Sequence, residues 1–325
     1  MSDVRAIVAG GEGRASTHTI RALLAQLTRQ LQASPTLTGA DERAGLHREA
    51  REILATLLHR SLGEVSRGGD HPIDGDVALQ AFGVAARRAT GEPLAYCLGS
   101  AAFRHLELAV DSRVLIPRPE TEIVVEQALK LTAAHAGGVA VDIGTGSGAI
   151  ALSLATEGRF ERVIATDISA DALDVAAANA DLMLHRAGTD AGLGTTTNSR
   201  VAPIEFRLGA DFEPLGGIKA RVIVSNPPYI AWEEAPDLPA SVRDWEPHLA
   251  LFADDGGMAR YDVLLAGAPS HLAPGGWLVL EVDSRRATET ARRATLSGLY
   301  ENVQLIRDLT NRDRVLIARV SSDIT

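Results

Sequence analysis

Cysteine is almost absent from this chain: Cys97 is the single one in 325 residues. An intramolecular disulfide is therefore impossible, and a cysteine-based zinc site has no second sulfur. Aromatic residues make up only 4%, and no uninterrupted apolar run reaches the ~18 residues that a membrane-spanning helix needs. The opening residues, Met1-Ser2-Asp3-Val4-Arg5, lack a basic segment leading into an apolar one, so no secretory signal is expected. These absences predict a cytoplasmic protein with no membrane partner and no metal ligands. Positive charge is also short, giving a formal net charge of −10. Residues 1–125 are nearly balanced, with 14 Arg against 15 Asp and Glu. Residues 126–325 hold 18 Arg and Lys against 27 acidic residues, a net −9. Such a surface disfavours non-specific nucleic-acid binding, which depends on cations neutralising phosphates, so no stable nucleic-acid partner is expected. What is present is ordinary for a folded chain, 46% hydrophobic and 23% charged, with length enough for about two domains.

Residues 1–17 are small and without periodicity, and are expected to be a flexible tail. From there apolar residues recur at helical spacing: Ile20, Leu23, Leu24, Leu27 and Leu31. Ser34-Pro35 ends that helix. A second, over 41–59, places Ala50, Ile53, Leu54 and Leu57 on one face with Asp41 as its cap. A third, over 77–90, stops at Gly91. Residues 18–92 thus read as a small helical packing or docking domain with nothing catalytic in it. Leu106, Leu108 and Val110 alternate with Glu107 and Ala109, so residues 93–116 read as a hairpin linker ended by Pro117-Arg118-Pro119. In residues 117–325 a helix over 120–135 comes first. Apolar runs at 139–143, 162–167, 204–208, 220–225, 276–282, 302–309 and 315–320 then alternate with helical stretches. That pattern predicts an α/β doubly wound, seven-stranded sheet whose last two strands form an antiparallel hairpin. Residues 187–201, rich in Gly, Thr, Asp and Asn, read as a flexible insertion.

Three motifs carry chemistry. The run Val141-Asp142-Ile143-Gly144-Thr145-Gly146-Ser147-Gly148-Ala149 follows a strand and opens a helix. Its glycines permit a sharp turn and let a cofactor lie on main-chain atoms, and by spacing they fit a dinucleotide fingerprint equally well. Asp167 ends the next strand, 25 residues after Asp142, where a carboxylate can accept from both hydroxyls of a ribose. NAD and S-adenosylmethionine both carry such a ribose. The third motif is Asn226-Pro227-Pro228-Tyr229, at the end of the fourth strand. The consecutive prolines stiffen the backbone and force Asn226 extended, which suits a site that presents the Asn226 side-chain oxygen and a neighbouring carbonyl in fixed positions. Tyr229 would add a flat face. Two acceptors and a platform match a planar amine, as in a carboxamide or an adenine.

In these residues the chain resembles the HemK/PrmC family of protein-(glutamine-N5) methyltransferases. The likeness spans about residues 87–320. It is carried by Gly91-Glu92-Pro93-Leu94-Ala95-Tyr96-Cys97-Leu98-Gly99, Leu115-Ile116-Pro117-Arg118-Pro119-Glu120-Thr121-Glu122, the glycine loop and Asn226–Tyr229, with further matches at Trp245-Glu246-Pro247 and 308–314. The resemblance implies a Rossmann-like class I S-adenosylmethionine-dependent fold with a small N-terminal helical domain that docks the substrate. It implies S-adenosylmethionine held by Asp142, Gly144, Thr145, Gly146, Ser147, Gly148 and Asp167, with Phe212 at the adenine and Asn226 beside the methyl. Asn226, Pro227 and Tyr229 would carry the reaction and, with Pro228, hold the glutamine of a Gly-Gly-Gln loop in peptide-chain release factors. A ribosomal-protein glutamine, or an adenine-N6 of a nucleic acid, would suit the same motifs. Two stretches depart from the family: Ala253-Asp254, where glycines are common, and Val282-Asp283-Ser284-Arg285-Arg286, which lacks the usual Gly and Gln.

Overall fold

A computed structural model describes residues 18–190 and 201–322 and divides the chain into two compact units, 1–98 and 99–325. The expected tail and most of the expected insertion lie outside the described residues.

The first unit is helical. It holds α1 (Ile20–Gln32), α2 (Ala40–Leu57), α3 (Leu62–Arg67), α4 (Gly75–Ala89) and α5 (Leu94–Leu98), with two-residue strands β1 (His18–Thr19) and β2 (Pro72–Ile73) paired antiparallel. The periodic stripe is the buried one: Ile20, Leu23, Leu27 and Leu31 pack with Ile53 and Leu54 of α2 and Ala81 and Ala85 of α4. Buried Arg88 donates to both carboxylate oxygens of Glu49, at 2.8 and 3.1 Å, and so ties α4 to α2. Two local expectations are corrected, and one further helix is found. The second helix begins at Ala40, so Asp41 lies inside it; Gly39 is the capping position, and its N–H donates to Glu42 Oε2. Six-residue α3 is too short for an apolar period to announce it, but it is held by reciprocal bonds between Ser61 and Glu64. Residues 94–98 are helical rather than the start of a hairpin, because the Cys97 N–H reaches back to Pro93 O at 3.0 Å. Burial pushes the Cys97 thiol up to about 12, so it remains protonated and unreactive at neutral pH.

The second unit opens with the hairpin β3 (Ser100–Phe103) and β4 (Leu106–Ala109), followed by α6 (Thr121–Thr132). Strands and helices then alternate: β5 (Val139–Ile143), α7 (Ala149–Glu157), β6 (Arg162–Asp167), α8 (Ala170–Asp190), β7 (Ile204–Leu208) and β8 (Ala220–Ser225). The short helices α9 (Ala240–Arg243) and α10 (His248–Leu251) lead to α11 (Ala259–His271), β9 (Leu272–Glu281), α12 (Ala287–Leu296), β10 (Tyr300–Arg307) and β11 (Asp313–Val320). One seven-stranded sheet results, in the order β10-β11-β9-β8-β5-β6-β7. The last two strands do pair antiparallel as expected, yet only β11 opposes the rest, since it is antiparallel to both of its neighbours.

Both faces of the sheet are covered, which is why its strands read as continuous apolar runs. Alternate residues divide between two cores. Ala140, Val163, Val222, Val224 and Val279 meet α6, α7 and α8, whereas Val141, Ile164, Ile223, Leu278 and Leu280 meet α11 and α12. Chain order reverses between β5 and β8, and the carboxyl ends of strands at such a reversal are where open α/β sheets bind ligands.

Candidate active site

At that reversal lies an open cleft of about 250 Å³, lined by the loops after β5, β6, β7 and β8. Its floor is the glycine loop. Gly144, Gly146 and Gly148 all adopt positive φ (74°, 54° and 84°), a conformation that costs other residues about 1–2 kcal/mol. The loop is pinned by Gly144 and Thr145 N–H groups, which both donate to Thr166 O at 2.9 Å. Beneath it Asp142 is fully buried. Its Oδ2 accepts from the Thr145 hydroxyl at 2.7 Å and from Ala151 N–H at 3.1 Å, while its Oδ1 has no partner among the described residues. Burial pushes this carboxyl up to about 7, against the pull of those two donors.

Asp167 stands at the end of β6 and braces the loop, with Oδ2 accepting from Gly146 N–H and Oδ1 from Ser169 N–H, both at 2.9 Å. A carboxylate offers about four lone-pair sites, so each oxygen keeps capacity for a ligand hydroxyl. Ser169 supplies the helix cap instead, accepting from Ala172 N–H at 3.2 Å.

At the end of β8, Ser225 donates to Ile143 O at 2.7 Å and fixes the approach to Asn226. The Asn226 carboxamide donates through Nδ2 to Thr121 Oγ1 at 3.2 Å, and Thr121 Oγ1 donates to Glu281 Oε2 at 2.6 Å. The other oxygen of Glu281 accepts a long bond from the Tyr229 hydroxyl at 3.5 Å. Glu281 is 1% exposed, and burial pushes it up to about 7 despite the Thr121 donor and the nearby Arg314 cation.

Of the residues singled out in the sequence, the structure brings Gly144, Thr145, Gly146, Ser147, Asp167, Asn226, Pro227 and Pro228 together on the cleft wall. Asp142 and Gly148 lie behind it as supports. Phe212 is placed elsewhere: its ring stacks on His271 at 4.9 Å and presses on Gly267, so the exposed apolar surface beside Asp167 belongs to Ile168. Tyr229 is likewise turned away from the wall, with its hydroxyl toward Glu281. Thr121 and Glu281 were not singled out as site residues, though Thr121 lies within the quoted Pro-Arg-Pro-Glu-Thr element. Glu246, quoted only as part of Trp245-Glu246-Pro247, is buried and accepts from the Arg118 guanidinium and from Ile116 N–H. The two departures from the family pattern adjoin each other. Arg286 donates to Gly256 O at 2.7 Å, to Glu234 at 3.0 Å and to Asp283 at 3.2 Å, clamping the 230–257 segment to the end of β9.

Residues 22–99 match the family model described as the PrmC N-terminal domain. A release factor glutamine methyltransferase of Xylella fastidiosa (strain Temecula1) is 40% identical over 251 residues, which are 77% of this chain and 85% of the relative. The chain belongs to that family. Another member, from Moorella thermoacetica, is 42% identical over 232 residues, 71% of this chain and 76% of that one. Among solved structures, the hMettl16 catalytic domain in complex with MAT2A 3′UTR hairpin 1 aligns over 84% of this chain and 93% of its own, with a TM-score of 0.51 at 14% identity. That likeness concerns the fold alone. Membership of the release factor glutamine methyltransferase family decides what the glycine loop and Asp167 left open: the site is that of a methyltransferase, not of a dinucleotide enzyme.

Proposed function

We propose that this protein transfers a methyl group from S-adenosylmethionine to the side-chain amide nitrogen of the glutamine in the Gly-Gly-Gln loop of peptide-chain release factors. The observation that carries the reading is the direction of the Asn226 carboxamide. Its Nδ2 is engaged by Thr121, which leaves Oδ1 for the cleft, next to the rigid Pro227-Pro228 pair. An amide nitrogen is a weak nucleophile because its lone pair is delocalised into the carbonyl. Asn226 Oδ1 and the Pro227 carbonyl would accept its two N–H groups and hold the lone pair in one direction, so the rate derives chiefly from positioning and charge placement. No general base is needed before transfer, because the nitrogen becomes acidic once methylated and releases its proton afterwards. The printed names of the relatives support a release factor as the acceptor, and the acidic second half of the chain speaks against a nucleic-acid duplex. The helical first unit, which matches the PrmC N-terminal model, is read as the part that docks the protein substrate.

The residues present fit S-adenosylmethionine. Open space faces Gly144 and Gly146, where, apart from the adjoining residues, no atom of the described residues lies within 4 Å of the position a Cβ would take. Asp167 would accept from ribose hydroxyls and Ile168 would offer apolar surface to the purine, while Arg113, Arg118 and Arg260, each paired with a carboxylate of the chain, line the cleft. When bound, this group supplies a methyl activated by a positively charged sulfur. Asp167→Ala is expected to lose two charged hydrogen bonds, on the order of 1.5–3 kcal/mol each. Calorimetry should then show at least a tenfold weaker affinity for S-adenosylmethionine, and an unchanged affinity would refute the assignment.

The acceptor is tested with methyl-labelled S-adenosylmethionine and intact release factor, ribosomes, nucleic acid and the short loop peptide in parallel. Label is expected on the glutamine of the intact release factor and little on the peptide, because docking far from the reacting centre contributes binding energy used there. Label in ribosomal protein or nucleic acid, with the release factor blank, would overturn the reading.

A further inference from the structure

Thr121 is 4% exposed and lies between a carboxylate and a carboxamide. A hydroxyl has one proton to give. While the Thr121 proton is held by the Glu281 anion, Thr121 Oγ1 can only accept from Asn226, so the amide must turn its Nδ2 inward and its Oδ1 outward. The reverse placement would set the Asn226 and Thr121 oxygens against each other with no proton between them. The two residues that impose this are 160 positions apart, at the start of α6 and the end of β9. We infer that Glu281, acting through the Thr121 hydroxyl, is a positioning residue that selects which end of the Asn226 carboxamide meets the substrate. The inference rests on the proposed acceptor for its kinetic consequence, though not for the orientation itself.

A consequence for pH follows. The groups facing Glu281 are Thr121 and Glu120 at the start of α6, Arg314 of β11, the Tyr229 hydroxyl and, from α11, Tyr261, whose hydroxyl accepts from Asp283 N–H at 3.1 Å. Burial, with Glu120 adding to it, outweighs the donors and Arg314, so Glu281 takes up a proton near pH 7. A neutral Glu281 brings its own proton to Thr121 Oγ1. The Thr121 proton is then free for Asn226 Oδ1, and the carboxamide is free to turn. The oriented state is full above pH 7 and is lost as pH falls through that value.

Two readouts test this on the full chain. In protein labelled with ¹⁵N-asparagine, the Asn226 side-chain amide signal, identified by its loss in Asn226→Ala, should be protected from solvent exchange and should titrate with a midpoint near 7. Thr121→Val should abolish both properties and lower kcat on the order of tenfold, the effect of one lost hydrogen bond, with the KM for S-adenosylmethionine unchanged. Thr121→Ser should restore them, and Glu281→Gln should give a low kcat with no limb near pH 7. Melting temperatures identify a variant that fails to fold, and the Thr121→Ser and Glu281→Gln pair then decides the matter. Wild-type kcat and amide protection in Thr121→Val, or an unaltered titration in Glu281→Gln, would overturn the inference. A wild type that leaves release factors unmethylated while its Asn226 signal titrates as described would remove the proposed acceptor and leave the orientation device standing.

Discussion

Asn226→Ala is expected to reduce methyl transfer by about 10²–10³, the loss typical when one preorganised polar group at a reacting centre is removed. The affinity for S-adenosylmethionine should stay within about twofold, since Asp167 and the glycine loop are untouched and, among the described residues, the Asn226 side chain bonds only to Thr121. Single-turnover rates paired with calorimetry make the comparison. The direction of the loss matters as much as its size. A residue that merely supported the β8 terminus would lower cofactor affinity and rate together, and equal losses would assign Asn226 that lesser role.

Gly257→Ala is expected to be the most damaging substitution outside the cleft wall. Gly257 sits at φ +85°, and an added Cβ would lie 2.2 Å from the Tyr229 carbonyl oxygen and 2.4 Å from Arg286 Nε. The left-handed backbone alone costs about 1–2 kcal/mol, and a backbone carbonyl cannot swing aside as a side chain can. Displacing it shifts the segment that follows Pro228 and breaks the Arg286 clamp. A loss of at least ~2 kcal/mol should lower the melting temperature by roughly 4–8 °C, at about 2–4 °C per kcal/mol for a unit of this size. Turnover should fall with it. The neighbouring Gly256 is the control: it too has positive φ, +59°, but apart from the adjoining residues nothing among the described residues lies within 4 Å of its Cβ position. Gly256→Ala should therefore suffer only the backbone strain. Equal melting temperatures for the two variants would show that the contact with Tyr229 O is not a constraint.

The sheet was legible because strands covered on both faces are apolar at most positions, so β5, β6 and β8 announce themselves as short, largely apolar runs. The glycine loop and Asn226-Pro227-Pro228 were legible for a related reason: positive φ and proline rigidity are local properties written in residue type. What escaped was whatever depends on distant partners. Glu281 ends an ordinary strand, and nothing around it says that Thr121, 160 residues earlier, will present its hydroxyl. Phe212 showed the converse difficulty. The family resemblance alone set it at the adenine, but the side-chain direction is set by the gap at Gly267, which no local pattern reveals. Helix α5 was misread because the alternation that signalled strands belonged to β4 alone. Asp167 braces the loop with one lone pair on each oxygen, which leaves others for the ribose contact proposed above.

The solitary thiol has a practical consequence. Cys97 is buried and its proton is held up to about 12, so alkylating dyes that attack thiolates find almost none in the native protein. Cysteines introduced on exposed positions, one in each compact unit, would be the only reactive sites. The wild-type chain is thus already a silent background for attaching a donor and an acceptor fluorophore. The distance between the helical unit and the sheet can then be followed while a release factor binds, without first removing any native residue.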